Sequence, residues 1–225
     1  LGLSSLQGIL KDKFKFDFPG TIDGRGNLYL TVEGKLFQAD NLAASGDVEV
    51  IDAVVKLKNL DSPFQEINGK IKFYEDRLHW EGVDLKYQGN LYKTSGSLIN
   101  FKSPLLDISI ETSGISLDSV LSFNGKLIKV SKFSGSYYLS EFSASGDIDI
   151  TQASSPKVNL TGELLIELKD LKRPLNKFKE QLEMINPSGK VKAQFNLSGS
   201  INDLKNCNAK VRLSGDSISL YGLRG

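Results

Sequence analysis

A four-residue phrase returns through the chain at nearly even steps: Ser45-Gly46-Asp47-Val48, Ser95-Gly96-Ser97-Leu98, Ser145-Gly146-Asp147-Ile148 and Ser198-Gly199-Ser200-Ile201. A step of about 50 residues is the period of units that cannot bury an apolar face alone and so stack on their neighbours. A second phrase, a turn-forming residue, Gly and a basic residue, falls between the copies at Asp23-Gly24-Arg25, Asn68-Gly69-Lys70, Asn124-Gly125-Lys126 and Ser188-Gly189-Lys190. Function in such a chain belongs to an array before it belongs to a pocket.

Between these phrases the apolar residues recur with period two. Phe14, Phe16 and Phe18 alternate with Lys15 and Asp17; Leu28, Leu30 and Val32 follow, then Val48 and Val50, then Val55 and Leu57. Ile71 and Phe73, Leu78 and Trp80, and Val83, Leu85 and Tyr87 continue the pattern, with Glu75-Asp76 and Gln88-Gly89-Asn90 as turns. Alternation of this kind marks strands with one apolar face, and turns this short pair neighbours antiparallel. Pro104 and Pro156 each open a further strand a few residues after their Ser-Gly phrase, a place where the ladder tolerates a missing donor.

The period departs from two in three places. Leu3, Leu6, Ile9 and Leu10 have helical spacing; Leu117, Val120 and Leu121 suit one helical turn; Leu175, Phe178, Leu182 and Ile185 predict a longer helix from Pro174, stopped by Asn186-Pro187. Three strands are expected after it, marked by Val191 to Leu197, by Val211 and Leu213, and by Ile218 and Leu220. The expected fold is mainly β, an elongated, twisted, antiparallel β-groove of repeated strand units with short connecting helices. It forms one repetitive segment over 1–225, in approximate units 1–122, 123–185 and 186–225.

Composition removes several function classes. With 28 Lys and Arg against 27 Asp and Glu, interspersed along the strands, no clustered basic surface for nucleic acid arises. One His and one Cys supply neither a metal constellation nor an internal disulfide. His79 alternates with Leu78 and Trp80 and so belongs to the solvent side of its strand; Cys207, between two Asn residues, reads as a small filler. Asp47 with Glu49, and Asp147 with Asp149, share a polar strand face without forming a catalytic pair. Gly24 and Gly26 precede a strand instead of a helix, so a hairpin turn explains them better than a phosphate loop. No catalytic, cofactor or metal site is expected, and no enzymatic activity. No stretch has the 18 or more apolar residues of a membrane span. The opening Leu1-Gly2-Leu3-Ser4 lacks the order of a signal peptide, and the chain is expected to be a segment of something longer.

Ile67-Asn68-Gly69-Lys70-Ile71-Lys72-Phe73, then Leu78-His79-Trp80, then Gly96-Ser97-Leu98 before Pro104, resembles the C-terminal region of AsmA-like and TamB-like proteins of bacterial envelopes. The resemblance runs from about Leu42 to Leu223 and is one of phrase order, with no catalytic signature. It implies a U-shaped sheet whose apolar concave face carries phospholipid or other acyl-chain lipid through the periplasm between inner and outer membranes, anchored to the inner membrane by a segment outside this chain. The lipid-facing positions would then be Phe14, Phe16, Leu28, Leu30, Val48, Val50, Ile71, Phe73, Leu98, Ile108, Ile110, Ile148, Ile150, Val158, Leu160, Phe195 and Leu197. The alternative is a closed β-sandwich serving as a structural or adhesive module, in which the same residues pack against each other. A glycan platform of Tyr29, Tyr74, Trp80, Tyr87 and Tyr92 is weaker, because those rings are dispersed along the chain.

Overall fold

The computed structural model describes residues 2–5, 20–34, 43–58, 60–152, 154–172, 186–200, 202, 207–220 and 223–224. They belong to two compact units, Leu1–Ser113 and Gly114–Gly225. The expected mainly β, twisted, antiparallel fold is what the chain adopts.

In the first unit β1 (Gly20–Glu33), β2 (Ala43–Leu57), β3 (Phe64–Tyr74), β4 (Arg77–Tyr87), β5 (Asn90–Ile99) and β6 (Leu105–Thr112) each pair antiparallel with the next in sequence. In the second the same meander runs through β7 (Ile115–Asn124), β8 (Leu127–Tyr137), β9 (Ser140–Asp149), β10 (Lys157–Glu167), β11 (Ser188–Ser200), β12 (Asn208–Leu220) and the two-residue β13 (Leu223–Arg224). First and last strands of a unit are never neighbours, so neither unit is a closed barrel. Glu75-Asp76 and Gln88-Gly89 are the turns expected from sequence; positive φ at Gln88 (48°) and Gly89 (82°) is what a two-residue hairpin loop of the primed type requires.

The turn-Gly-basic phrase has a different role from the one its composition suggests. Asp23-Gly24-Arg25 is no hairpin: it lies inside β1, where the register slips so that Gly24 faces Asp52-Ala53 of β2. Asn68-Gly69-Lys70 makes the same slip against Gly82-Val83 of β4, and Ser188-Gly189-Lys190 against Ser217-Ile218 of β12. Each is a β-bulge, with the glycine at positive φ (124°, 154° and 104°) beside two residues where one is normal. At Gly69 a Cβ would stand 2.7 Å from Val83 Cγ2, so only glycine fits beneath the bulge. Only Asn124-Gly125-Lys126 is a turn, joining β7 to β8.

Other departures show in the registers. Leu117 to Leu121 is part of strand β7 and not a helical turn: Leu117 and Leu121 share the apolar face, and Val120, opposite Lys132, lies on the other. Val48, Val50, Val55 and Leu57 share the single strand β2, bent at a bulge where Asp52 takes φ 48° and donates its N–H to Asn68 Oδ1 (2.9 Å). Val211, Leu213, Ile218 and Leu220 lie in one strand, β12, instead of the two expected. Tyr138-Leu139 is the β8–β9 turn.

Of the expected helices, the one from Pro174 to Ile185 lies outside the described residues, as do Leu6 to Leu10 and the strand with Phe14, Phe16 and Phe18. Leu3–Ser5 forms a helical turn, with the Ser5 N–H donating to Gly2 O at 3.1 Å. A 3-10 helix not anticipated from sequence, Leu168–Lys172, follows β10. It is tied to the β8–β9 turn by buried Asp170, whose Oδ2 accepts from Leu139 N–H and Ser140 O–H at 2.8 Å each.

Candidate functional site

Residues directly opposite each other on paired strands lie on the same face, so the registers assign every position. In the first unit one row crosses the sheet as Leu28, Val48, Ile71, Trp80, Gly96 and Ile108; the next runs Leu30, Gly46, Phe73, Leu78, Leu98 and Leu106. A third aligns Val83, Thr94 and Ile110. The intervening row is Tyr29, Asp47, Lys72, His79, Ser97 and Asp107. One face is apolar and the other polar, strand after strand.

The second unit repeats the division. Its apolar rows are Phe123, Ile128, Ile148, Val158 and Gly199; Leu121, Val130, Gly146, Leu160, Leu197 and Ala209; Ser119, Phe133, Ala144, Gly162, Phe195 and Val211; and Leu117, Gly135, Phe142, Leu164, Ala193 and Leu213. Between them run Ser122, Lys129, Asp147, Asn159, Ser198 and Asn208, and Asp118, Ser134, Ser143, Glu163, Gln194 and Arg212. The bulges keep this division intact: Val130 and Phe133 are three apart, a spacing that plain alternation would send to opposite faces, and the extra residue between them restores both to one face.

The expected lipid-facing residues fall on these faces as follows. Leu28, Leu30, Val48, Val50, Ile71, Phe73, Leu98, Ile108 and Ile110 share the apolar face of the first unit, and Ile148, Val158, Leu160, Phe195 and Leu197 that of the second. Ile150 sits one residue beyond β9, its N–H donating to Lys126 O at 2.8 Å. Phe14 and Phe16 lie outside the described residues. Leu78, Trp80, Phe133, Phe142 and Leu164 occupy the same faces and were not singled out from sequence; the alternation around Leu78 and Trp80 already pointed to them.

These faces are thinly covered. Val50, Val83, Val130, Val158 and Ala193 are buried, whereas Ile71, Phe73, Trp80, Leu98, Phe142, Ile148, Leu160 and Phe195 are half-buried and Leu30 is 54% exposed. In the first unit the segment Gly2–Ser5 brings Leu3 onto the face, where it clusters with Val50 and Ala53, and Ile22, Val48, Ile67 and Ile71 pack against that cluster; Gly2 forms a β-bridge to Arg25. Two polar side chains are buried on the apolar rows, Thr94 and Ser119. Thr94 Oγ1 accepts from Trp80 Nε1–H at 3.3 Å, and the Ser119 hydroxyl is without a partner.

Four glycines of these rows lie beneath an aromatic ring from the strand opposite. At Gly46 a Cβ would stand 2.9 Å from Phe73 Cζ, at Gly96 2.6 Å from Trp80 Cζ2, at Gly135 2.7 Å from Phe142 Cζ and at Gly162 2.6 Å from Phe195 Cζ. On the other side each Cβ would run into a backbone carbonyl, of Tyr29, Asp107, Ser116 and Ser143 respectively. The ring therefore lies down across its cross-strand glycine, an arrangement that covers a glycine's bare backbone in a sheet. The Ser-Gly phrase thus has a physical reason at Gly46 and Gly96. At Gly146 (φ 143°) and Gly199 (φ 136°) the neighbours are Asn159 and Cys207 instead.

The polar faces hold ordinary surface electrostatics. Lys86 pairs with Glu66 and Lys192 with Glu163 at 3.0 Å, Lys132 with Asp118 and His79 with Glu81 at 3.3 Å. Hydrogen bonds from Gln194 and Lys192 hold the Glu163 carboxyl below its usual range, and bonds from Thr151 do the same for Asp149. A shallow depression of about 430 Å³ is lined by Ser134, Ser136, Glu141, Ser143 and Glu163 together with Gly135, Phe142 and Leu165. Among the described residues no three His, Cys, Asp or Glu cluster as metal ligands, and no helix is long and apolar enough to cross a membrane. Compared with protein families, with curated proteins and with solved structures, the chain matches none.

Proposed function

We propose that the chain is a segment of a bridge-like lipid-transfer protein whose apolar sheet faces solvate the acyl chains of phospholipid. The observation that carries this reading is the run of rows, apolar but for Thr94 and Ser119, across β1 to β6 of the first unit and β7 to β12 of the second, with most of their large side chains half-exposed. Such a face must be covered in water, and each methylene it takes out of water is worth up to about 0.8 kcal/mol. The rows carry no charged residue, so headgroups have no partner there and stay at the rim. The envelope setting, with transfer across the periplasm between inner and outer membranes and an inner-membrane anchor outside this segment, rests on the AsmA-like and TamB-like resemblance of the phrases from Ile67 to Pro104. The reading assigns the chain carriage without chemistry.

The test is to place a charge on the face. Ile71→Asp and Ile148→Asp interrupt a lipid file but, on an open face, leave the carboxylate access to water, so the variants stay folded, with melting lowered by the loss of one half-buried side chain, and lose co-purifying lipid. In a closed sandwich the same carboxylate is buried at a cost of several kcal/mol. Gross unfolding of both variants, together with no lipid extractable from the unmodified chain, overturns the proposal in favour of the structural module.

A further inference from the structure

Within the lipid-carrying reading, on which this step rests, we propose that the ring–glycine pairs are the substrate-contacting floor of the apolar face, with Trp80 over Gly96 as its principal platform in the first unit. A side chain standing upright from a strand offers a ligand its tip. A ring lying across a glycine offers a broad flat surface, with no side chain beneath to lift it. The indole's single polar atom is already engaged by Thr94 Oγ1 at 3.3 Å, so the platform makes no hydrogen-bonding demand. Flanking row positions are Ile71, Leu78 and Leu98, with no charge among them. A floor of this chemistry suits an unbranched methylene chain, which has dispersion contacts to gain and no polar group to satisfy. An added peptide strand fits poorly, because its backbone N–H and C=O groups would find no partners on the floor. Phe73 over Gly46 extends the platform in the adjacent row, and Phe142 and Phe195 repeat it in neighbouring rows of the second unit.

Trp80 is the chain's only Trp, so its fluorescence reports this one place. The experiment titrates the full chain with vesicles of phosphatidylcholine brominated in mid-acyl chain, and separately with vesicles brominated nowhere but carrying a headgroup spin label. Bromine quenches at short range, so lost emission reports an acyl chain beside the indole. The proposal expects at least a halving of Trp80 emission by the acyl-brominated lipid and little change from the headgroup label. A Trp80→Ala variant that keeps its circular dichroism should bind several-fold less lipid, and Trp80→Phe should restore most of the binding. Photo-crosslinking at Ile71 separates the two layers of argument. Lipid captured at Ile71 with Trp80 unquenched overturns the platform and leaves lipid carriage standing; no capture and no quenching overturns both. Quenching that a competing apolar peptide abolishes, with no lipid captured at Ile71 in cells, assigns the floor to a protein partner and also overturns the proposal.

Discussion

A methyl group is too large for the site at Gly96, where Trp80 closes one side and the Asp107 carbonyl the other. Gly96→Ala must therefore displace backbone or ring, at the roughly 1–3 kcal/mol typical of overpacking. Gly89→Ala, at a hairpin position with open space around it, pays only for its φ of 82°, about 1 kcal/mol. Urea unfolding of the two variants should rank them in that order, and equal midpoints would show that the ring does not close the site. Acid acts at the same scale. The Glu163 carboxyl titrates below its ordinary 4.5 in the folded chain, so its contribution is fully present above that value and is lost as pH falls through the lower folded value. Glu163→Gln should narrow the gap between melting temperatures at pH 7 and at strongly acid pH; an unchanged gap contradicts the assignment.

At the scale of elements, the device that keeps one face apolar is the bulge. Strand existence, the two tight turns and the apolar face were legible in the period-two alternation of residues such as Ile71, Phe73, Leu78 and Trp80. What alternation hides is register. The extra residue of a bulge stands on the partner strand, in β2 opposite Gly24 and in β8 opposite Val120 and Leu121, so neither Asp23-Gly24-Arg25 nor Leu117 to Leu121 shows it alone. The ring–glycine pairs were illegible for the same reason: Gly135 and Phe142, or Gly162 and Phe195, become neighbours only once the strands are aligned. The 3-10 helix after β10 depends on one buried carboxylate. Asp170→Ala leaves the Leu139 N–H and Ser140 hydroxyl without their acceptor, at about 1–3 kcal/mol. Melting should fall and the Leu139 amide should exchange faster than in the unmodified chain; unchanged exchange would mean that the carboxylate does not hold the turn.

Over the whole molecule, surface chemistry divides by face. Charges of both signs are spread over the polar faces in exposed pairs of the kind worth a fraction of a kcal/mol each. They favour solubility and give no single-sign field to attract a charged partner. The apolar faces are the unusual surface, and their proposed occupant is lipid. The direct measurement is to place a photoactivatable side chain in cells at two apolar-face positions, Ile71 and Ile148, and at their chain neighbours on the polar faces, Lys72 and Asp147, and to identify adducts by mass spectrometry. The account predicts phospholipid adducts at Ile71 and Ile148 and none at Lys72 and Asp147. Adducts at all four positions alike, or at none, would contradict it.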